Sequence, residues 1–600
     1  MRITEDYLRL RKAFPAYKER EPFGISMGEL AEVLFCTPRN AKLIIMKMVE
    51  LEWIGFLSGR GRGHTSELTF LVPAAALLLQ EAQERVKRGD VPGAFDWLKA
   101  GEEFAAVRPQ FLEWLTAYFG YQAEQINGDH LMETLRLPIY REIVSLDPAD
   151  AIYTFDTHMV HQIYSRLVEY DAGIGGIARG IAHAWESNGA ATAWTFYLYK
   201  GVQFHDGREL TAEDVRASLL RLKERSGSHG WLMAYLKRIE LLSRYTVKIV
   251  LEKPNKHFLL YMSHYAASIL PRDYTFETGK LPIGSGPYRL AEWHTGMCVL
   301  EAFPCYYGHR GIIDRIEVII VPENEAGACF GTSPGVLTIV TGEFEVPSIS
   351  ELPRKQTVTG VLTLTLNVKK DSILRSLPFR KALAHGIDRQ RMVDELGEPR
   401  TSEATGLRLE ENPCHGDSLY LPEAAAKHLR LSEYDGQPLR LYTYARHEVD
   451  AYWLKEQYEA LGIRIEVHIV TWTEMIDPAV IATADMVLFE EVSGEGPIRQ
   501  LEYLQSGKSF IRNALDEEVA RRIDEYAAAL LREERIERRL AEMDRVLNET
   551  YSCVFLVTKA VRTIFHSSLQ GVKVNSKGWV DFHSIWFRGL LDLSGQENRK

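Results

Sequence analysis

The stretch KGVQFHDGRELTAEDV, from Lys200 to Val215, predicts three structural elements in direct succession. It begins as the end of a strand and passes into a polar turn at His205-Asp206-Gly207, residue types that favour tight turns. A helix is then predicted from Thr211, whose side chain can cap the helix while Asp214, three residues later, reaches back to the start. Strand, turn and capped helix are the repeating unit from which we expect the larger part of the chain to be built.

The same alternation continues on both sides of this stretch. AWTFYLYKG precedes it as a strand with alternating apolar residues, and VLTLTLNV and PLRLYTY are further strands that each precede a helix, over 377–396 and 450–461. Strands that alternate with helices indicate an α/β body, here with more than one lobe.

Composition indicates a soluble protein of several domains. The chain has 600 residues, of which 46% are hydrophobic and 26% charged, with no apolar run long enough to span a membrane. Its N-terminus lacks the apolar region of a signal peptide, and its six cysteines are scattered without a C-x-x-C pair. We therefore expect a cytoplasmic protein, with no disulfide framework, bound metal or cofactor.

Charge separates the first seventy residues from the rest. They carry 11 Lys and Arg against 9 Asp and Glu, whereas the remainder carries 60 against 73. This balance permits a nucleic-acid surface in the first segment and disfavours one elsewhere.

The first segment has the element order of a winged helix-turn-helix. SMGELAEVL begins with a capping box of Ser26 and Glu29, and TPRNAKLIIMKMVEL begins a second helix capped by Thr37 with Pro38 at its first position. Two strand-like runs then flank the turn GRGRGH, which lacks the ending of a phosphate-binding loop. Two short helices and a hairpin are also compatible with a small packing domain that binds nothing.

The second helix and the turn carry residue types suited to DNA. Arginine pairs well with guanine and asparagine with adenine in the major groove, and a flexible glycine–arginine turn suits phosphate or minor-groove contact. The residues that we expect to contact DNA are Thr37, Arg39, Asn40, Lys42, Leu43, Lys47, Arg60, Arg62 and His64.

Five collinear segments give the body a family resemblance. They are METLRLPIYREIVSLDPADAIYTFDTHMVHQIYSRLVEYD, GIAHAWESNGAATAWTFYLYKGVQFHDGRELTAEDV, LPIGSGPYRLAEW, LPFRKALAHGIDRQRMVDEL and YDGQPLRLYTYARHEVDAYWLKEQYEALGIRIEVHIVTWTEM. From about Met132 to Phe587 the chain resembles the family 5 extracellular solute-binding proteins, which include the oligopeptide, dipeptide and nickel receptors of ABC importers. The resemblance implies a periplasmic-binding-protein-like body of two lobes that close around a ligand.

The first segment has a resemblance of its own. GISMGELAEVLFCTPRNAKLIIMKMVELEWIGFLSGRGRGHTSELTFL is similar to the N-terminal domain of SgrR-type transcriptional regulators, in which it is joined to a family 5 domain. The combined resemblance implies a winged helix-turn-helix over 1–73, a helical connector over 74–128, lobe I over 129–352 and 555–600, and lobe II over 353–554. It implies a regulator that binds DNA and senses a small molecule such as a sugar, a sugar phosphate or a peptide.

The chain departs from the family where peptide receptors hold the ligand's amino group. In ADMVLFEEVSGEGPIRQLEYL, two glutamates replace the usual Gly-Trp, and Gly494 stands where an aspartate is expected. Glu490, Glu491 and Glu495 are our candidate ligand residues, for a cationic or hydroxyl-rich ligand. The alternative is an acidic loop that faces solvent.

Other functions have less support. The main alternative is the substrate-binding component of an oligopeptide- or nickel-type importer, which leaves the first segment without a role. An enzyme is disfavoured because no catalytic motif is present, and His158 and His161 lack further ligands at metal-binding spacing. The expected partners are DNA and a small molecule rather than a membrane, and a homodimer is compatible with the sequence although no heptad zipper is visible.

Overall fold

The computed structural model describes residues 2–59, 65–99, 104–127, 130–140, 142–225, 229–277, 279–322, 325, 339–342, 354–409, 420–494 and 496–588. They form an N-terminal domain of helices and one small sheet (residues 2–73, here the head), a helical connector and an α/β body of two lobes. Within these ranges, no helix has both the length and the apolar character needed to cross a membrane.

The head contains the predicted helices and hairpin, and two elements that were not predicted. Its elements are α1 (Arg2–Ala13), β1 (Pro22–Ile25), α2 (Met27–Val33), α3 (Pro38–Glu50), β2 (Ile54–Leu57) and β3 (Ser66–Phe70). Helix α2 begins with the predicted capping box, in which the Ser26 hydroxyl accepts the N–H of Glu29 and the Glu29 carboxylate accepts the N–H of Ser26. The hairpin gains a third strand, because β1 pairs antiparallel with β3.

The connector joins the head to the body through shared apolar packing. Its helices are α4 (Ala74–Lys87), α5 (Val91–Lys99) and α6 (Phe104–Tyr118). Leu77 of α4 belongs to the apolar core of the head, whereas Leu78 and Val86 of the same helix pack with Val299 and Ile319 of the body. One helix thus contributes to two cores.

Lobe I is built on three antiparallel or mixed sheets. A five-stranded sheet has the order β12-β13-β14-β5-β4, a four-stranded sheet has the order β10-β11-β9-β8, and β6 pairs with β7. The residues Gly120–Asn127, predicted as part of the connector, instead form the edge strand of the larger sheet. Its elements are β4 (Gly120–Asn127), β5 (His130–Ile139), α7 (Thr154–Ile163), β6 (Val168–Asp171), β7 (Gly176–Arg179), β8 (Ala182–Ser187), β9 (Ala193–Leu198), α8 (Ala212–Glu224), β10 (Leu236–Ser243), β11 (Thr246–Leu251), α9 (Phe258–Ser263), β12 (Tyr288–His294), β13 (Met297–Ala302) and β14 (Arg315–Ile320).

Lobe II is built on a seven-stranded sheet, in which β15-β21-β16-β20-β18-β19 are neighbours and β17 also pairs with β21. The helices that follow β20 add Ile498, Leu501 and Leu547 to the same apolar cluster as lobe I, so the lobes pack together. The elements are β15 (Ile339–Gly342), β16 (Arg354–Leu366), α10 (Leu377–His385), α11 (Arg389–Leu396), β17 (Arg400–Glu403), α12 (Pro422–Leu431), β18 (Leu439–Tyr444), α13 (Glu448–Ala460), β19 (Ile465–Val470), α14 (Trp472–Met475), α15 (Pro478–Ile481), β20 (Met486–Val492), α16 (Ile498–Gln505), α17 (Phe510–Ala514), α18 (Glu517–Leu530), α19 (Glu537–Thr550) and β21 (Cys553–Phe565).

The predicted bounds of the lobes need a correction. Strand β15 and most of strand β21 fall within the spans predicted for lobe I, 129–352 and 555–600, but they belong to the lobe II sheet, because β15 pairs with β21 and β21 pairs with β16. The chain then forms a hairpin of β22 (Leu569–Gln570) and β23 (Trp586–Phe587), and Leu569 and Phe587 belong to the apolar cluster of lobe I.

The stretch from Lys200 to Val215 has the predicted structure. Asp206 accepts the backbone N–H of Arg208 in the turn, at 3.1 Å, and Thr211 with Asp214 forms a capping box at the start of α8. His205 accepts the N–H of Gly284 at Nδ1, and its Nε2 lies 3.1 Å from the carbonyl oxygen of Gly286. The turn therefore anchors the loop that leads into β12, which is a structural role.

Candidate nucleic-acid interface and ligand cavity

Helix α3 buries one face in the head and exposes the other. Ala41, Ile45 and Met48 are fully buried, while Leu43 is 65% and Met46 49% exposed. The face that carries these two side chains is the one that another molecule can reach. Leu51, which follows the last residue of the helix, is 38% exposed.

The predicted DNA-contacting residues of α3 lie together on this exposed face. Thr37 caps the helix by accepting the N–H of Asn40, and Arg39, Asn40, Lys42, Leu43 and Lys47 are exposed. Among the residues described, neither Arg39 nor Lys42 forms an ion pair, whereas Lys47 contacts Glu50 at 2.9 Å. Arg60, Arg62 and His64 lie outside the described residues.

A second candidate site is a cavity of about 300 Å³ where the lobes meet. Its lobe I wall is Ile152–Thr154, and its lobe II wall is formed by the ends of β18 and β20 and by α14 to α17. The ring of Tyr153 packs on Trp472 with ring centroids 4.1 Å apart, which places an aromatic contact at the junction of the lobes. The cavity is thus bounded by both lobes.

Aromatic side chains make up much of this wall. Phe489 lies 6.0 Å from both Tyr444 and Trp472, and 4.9 Å from Phe510, between ring centroids. Aromatic and apolar walls with a few polar groups are typical of sites for small molecules. None of these four residues was predicted to bind ligand, because the strand and helix patterns that contain them are equally those of a core.

Glu490 and Glu491 lie on β20 and line this cavity, with exposed fractions of only 1% and 4%. The alternative of an acidic loop facing solvent is therefore wrong for these two residues, since they continue the strand and are buried. Glu495 lies outside the described residues. Gly494 packs so closely on Arg499 that an added Cβ would lie 2.7 Å from its Cβ, which leaves no room for the aspartate of the peptide receptors.

The two adjacent glutamates have different environments. Glu490 pairs with Arg446 at 3.0 Å and accepts the Thr359 hydroxyl at 2.9 Å. Glu491 accepts no hydrogen bond at Oε1 within the described part of the chain. Burial raises the pKa of the Glu491 carboxyl to about 8; Arg499 opposes this rise, and the nearby carboxylates Glu502 and Glu490 add to it.

Behind Glu490 lies a buried ionic cluster that stabilises lobe II. Asp450 is completely buried and pairs with Arg400 at 2.7 Å and with Lys559 at 2.9 Å. The Lys559 ammonium also lies 3.1 Å from Nδ1 of His447. Buried charges persist only when they are paired in this way.

Beyond the cavity wall, Glu502 of α16 joins the two lobes through a second buried cluster. Its carboxylate pairs with Arg499 and lies 3.1 Å from Nε2 of both His229 and His264. Burial by itself would raise the pKa of Glu502, but Arg499 and the two histidines outweigh burial and hold this pKa well below its usual range. The Tyr265 hydroxyl donates to the same carboxylate at 2.8 Å.

Within the described residues, His229, His264 and Glu502 lie close enough together to bind a metal ion, but the hydrogen bonds of His264 do not fit one. The Nδ1 atom of His264 accepts the N–H of Ala266, which leaves the proton on Nε2, where a metal would need a lone pair. Glu502 is already neutralised by Arg499. We interpret this group as an ionic contact between the lobes.

The two histidines considered in the sequence are packed residues. His158 is buried against Phe582, with ring centroids 4.7 Å apart, and burial lowers the pKa of its imidazole to about 3. Burial also holds the pKa of His161 well below its usual value.

Together these features define the class of protein: a two-lobed solute-binding body with a cavity between its lobes, joined through a helical connector to a small helix-and-hairpin head. Comparison with known families agrees. Residues 176–499 match the model for bacterial extracellular solute-binding proteins, family 5 middle domain, and residues 2–117 match the model for the N-terminal domain of the sugar transport-related sRNA regulator. The chain belongs to the family 5 solute-binding proteins, and the SgrR-type arrangement of its two domains is confirmed.

Relatives extend over the whole chain. A protein of Bacillus subtilis (strain 168), the uncharacterized protein YhjP, is 30% identical over 98% of this chain and 100% of its own length. The HTH-type transcriptional regulator SgrR of Yersinia enterocolitica is 26% identical over 98% of both chains. Among solved structures, the periplasmic binding protein DppA of Helicobacter pylori, in complex with the peptide STSA, superposes with a TM-score of 0.67 at 18% identity, over 76% of this chain and 98% of that one. That likeness shows the two-lobed α/β fold of the body.

Proposed function

We propose that this protein is a DNA-binding transcriptional regulator whose two-lobed body senses a small molecule. The observation that carries the proposal is the presence, in one chain, of an exposed cationic helix face and an aromatic cavity between two lobes, joined by a helix that packs in both domains. The full-length similarity to a transcriptional regulator supports the same function.

The DNA surface in this proposal is the exposed face of α3, in a head with winged helix-turn-helix topology. Arg39 and Asn40 stand at the N-terminal end of α3, the end that contacts base edges when such a helix enters the major groove. Lys42 and Lys47 are placed to contact phosphates, which fix the position of the protein on DNA without reading its sequence. We infer a cytoplasmic location, because DNA is the partner.

The sensor in this proposal is the cavity between the lobes. A ligand there would contact both walls and favour the closed arrangement of the lobes over an open one. If the same ligand changes the affinity for DNA, DNA must change the affinity for the ligand by the same factor. The importer-receptor alternative gives the head no role, so we do not favour it.

The DNA part is tested by gel mobility shift with the DNA upstream of the protein's own gene. Arg39→Ala should weaken binding and relax the preference for one base pair, whereas Lys42→Ala should weaken binding to all sequences alike and lower the slope of log affinity against log salt by about one. Lys237→Ala is the matched control, since Lys237 is an exposed cation of lobe I and the substitution removes the same charge. Equal affinity of the Arg39→Ala variant and the native protein would exclude this face of α3 as the DNA surface.

A further inference from the structure

We infer that the cavity binds a small organic amine with an aromatic or apolar body, and that the ammonium group of this ligand pairs with Glu491. This inference rests on the proposed sensing function, since it names the class of ligand for the same cavity. Glu491 lines the cavity, is 4% exposed, and has an Oε1 atom without a hydrogen-bond partner among the described residues. A buried carboxyl group in that state either keeps its proton or meets a cation or donor that a ligand brings.

The other buried charges of the cavity wall are already paired. Glu490 is neutralised by Arg446 and Glu502 by Arg499. Lys508, at the rim, lies 3.8 Å from Asp150 of lobe I. The wall therefore offers one buried, uncompensated carboxyl group and no uncompensated cation within the described residues.

The distribution of charge on the cavity wall favours some classes of ligand over others. A phosphate or carboxylate ligand would have to take Arg446 or Arg499 from a buried partner, and would leave a glutamate buried without its counter-ion, which is strongly unfavourable. An amine requires no such exchange, because it meets the carboxyl group that has no partner. The wall thus favours a cation over sugar phosphates and over ligands that present an acid group.

The aromatic side chains favour the same class of ligand. Tyr153, Tyr444, Trp472 and Phe489 surround the space next to Glu491, and aromatic faces attract cations as well as apolar groups. A volume of about 300 Å³ is at the lower end of the range for small-molecule sites, so the body of the ligand is small.

Protonation of Glu491 gives the ligand class a characteristic pH dependence. With a pKa near 8, the carboxyl group of the empty cavity holds a proton at neutral pH, and an amine must displace that proton to form an ion pair. Amine affinity should then rise between about pH 6 and about pH 9, while an alkylamine remains protonated. The titratable or charged groups around Glu491 and the cavity are Glu490, Arg446, Asp477, Arg499, Glu502, Tyr503, Lys508, Tyr153, Tyr444 and Cys553.

Three probes that share a phenyl ring test the inference on the full chain: 2-phenylethylamine, 2-phenylethanol and phenylacetate. Titration followed by tryptophan fluorescence or calorimetry should show the amine binding about tenfold or more tightly than the alcohol, and the acid binding least. Glu491→Gln should remove the preference for the amine together with its pH dependence. Glu466→Gln is the matched control, because Glu466 is an exposed glutamate of β19 in the same lobe.

Several results would overturn the amine class: tighter binding of the alcohol or the acid, no binding of any probe at millimolar concentration, affinity that falls with rising pH, or an unchanged preference in Glu491→Gln. The proposed function is judged separately. Suppose that a neutral or anionic compound stabilises the native chain but not Trp472→Ala, and also alters DNA binding. The proposed sensing function would then stand, and the amine would be wrong as the class of ligand. If the probes bind as expected but do not change the affinity for DNA, the amine class of ligand stands and the sensing function is wrong.

Discussion

Replacement of Glu491 by glutamine should stabilise the protein, although it alters a buried residue. In the unfolded chain a glutamate carboxyl titrates near its ordinary pKa of 4.5, whereas burial raises the pKa of Glu491 in the fold to about 8. Between these values the folded state binds the extra proton, so the free energy of unfolding falls as pH rises through this window. Glutamine does not titrate, so in Glu491→Gln this fall in the free energy of unfolding does not occur.

The size of the effect follows from the two pKa values. At pH 5 the loss that Glu491 causes is about 1 kcal/mol, at pH 7 it is about 3 kcal/mol, and above pH 8 it levels off near about 5 kcal/mol, since one pKa unit corresponds to about 1.4 kcal/mol. Glutamine and a protonated glutamate are similar in volume and hydrogen-bonding capacity, so packing should change little. The stability of Glu491→Gln relative to the native protein should therefore increase with pH.

The neighbouring residue provides the control. Glu490→Gln removes the carboxylate that pairs with Arg446 at 3.0 Å, so we expect a loss of about 1–3 kcal/mol at neutral pH. The same substitution at adjacent positions should thus have opposite signs. Urea unfolding of the three proteins at several pH values, followed by tryptophan fluorescence, measures both effects. A Glu491→Gln variant no more stable than the native protein at pH 7, or a difference that does not grow from pH 5 to pH 8, would refute the reasoning.

Three further substitutions test the packing around the two sites. Gly360→Ala should lower the thermal unfolding midpoint in calorimetry, because the added Cβ would lie 2.5 Å from the carbonyl oxygen of Glu491. Gly189→Ala should leave the midpoint unchanged, because no atom of the described residues, apart from its chain neighbours, lies within 4 Å of the Cβ that it adds. Asp450→Asn should cost about 3–5 kcal/mol in urea unfolding, since it leaves two buried cations without their carboxylate, and an unchanged midpoint would contradict the role of this cluster. Thr37→Ala should cost the head about 1 kcal/mol, measured by the loss of helical circular dichroism on heating, because it removes the cap of α3; a head as stable as the native one would show that the cap contributes nothing.

Local patterns in the sequence predicted much of the fold. The capping boxes at Ser26 and Thr211 and the turn at His205-Asp206-Gly207 all have the expected geometry, because each is determined by residues close together in the chain. Strand β1 was not predicted, since PFGI is short and becomes a strand only by pairing with β3, more than forty residues away. Gly120–Asn127 was assigned to the connector for the same reason: its place is fixed by pairing with β5.

The sequence located the cavity only in part. The departure from the family pattern directed attention to Glu490 and Glu491, and both line the cavity. The sequence could not predict that, among the residues the structure describes, Glu490 has an ion-pair partner and Glu491 does not, because the partner, Arg446, reaches Glu490 from another part of lobe II. The neighbours of the two residues come from other elements, with Thr359 beside Glu490 and Arg499 beside Glu491. The sequence around two adjacent charges therefore does not show whether they lie on a covered strand or on an exposed loop.

The packing of α4 determines how the proposed sensor can act on the head. Gly296 of lobe I lies so close to the turn after α4 that an added Cβ would be 1.7 Å from the carbonyl oxygen of Gly89, and α4 itself shares apolar contacts with the head through Leu77. Contacts this close transmit movement rather than absorb it. The head and lobe I should therefore move as one unit, and in the proposed function a ligand that closes the cavity changes the position of lobe II relative to that unit. In the proposed function, an effect of ligand on DNA binding would therefore arise from where lobe II is placed, and not from a rearrangement within α3.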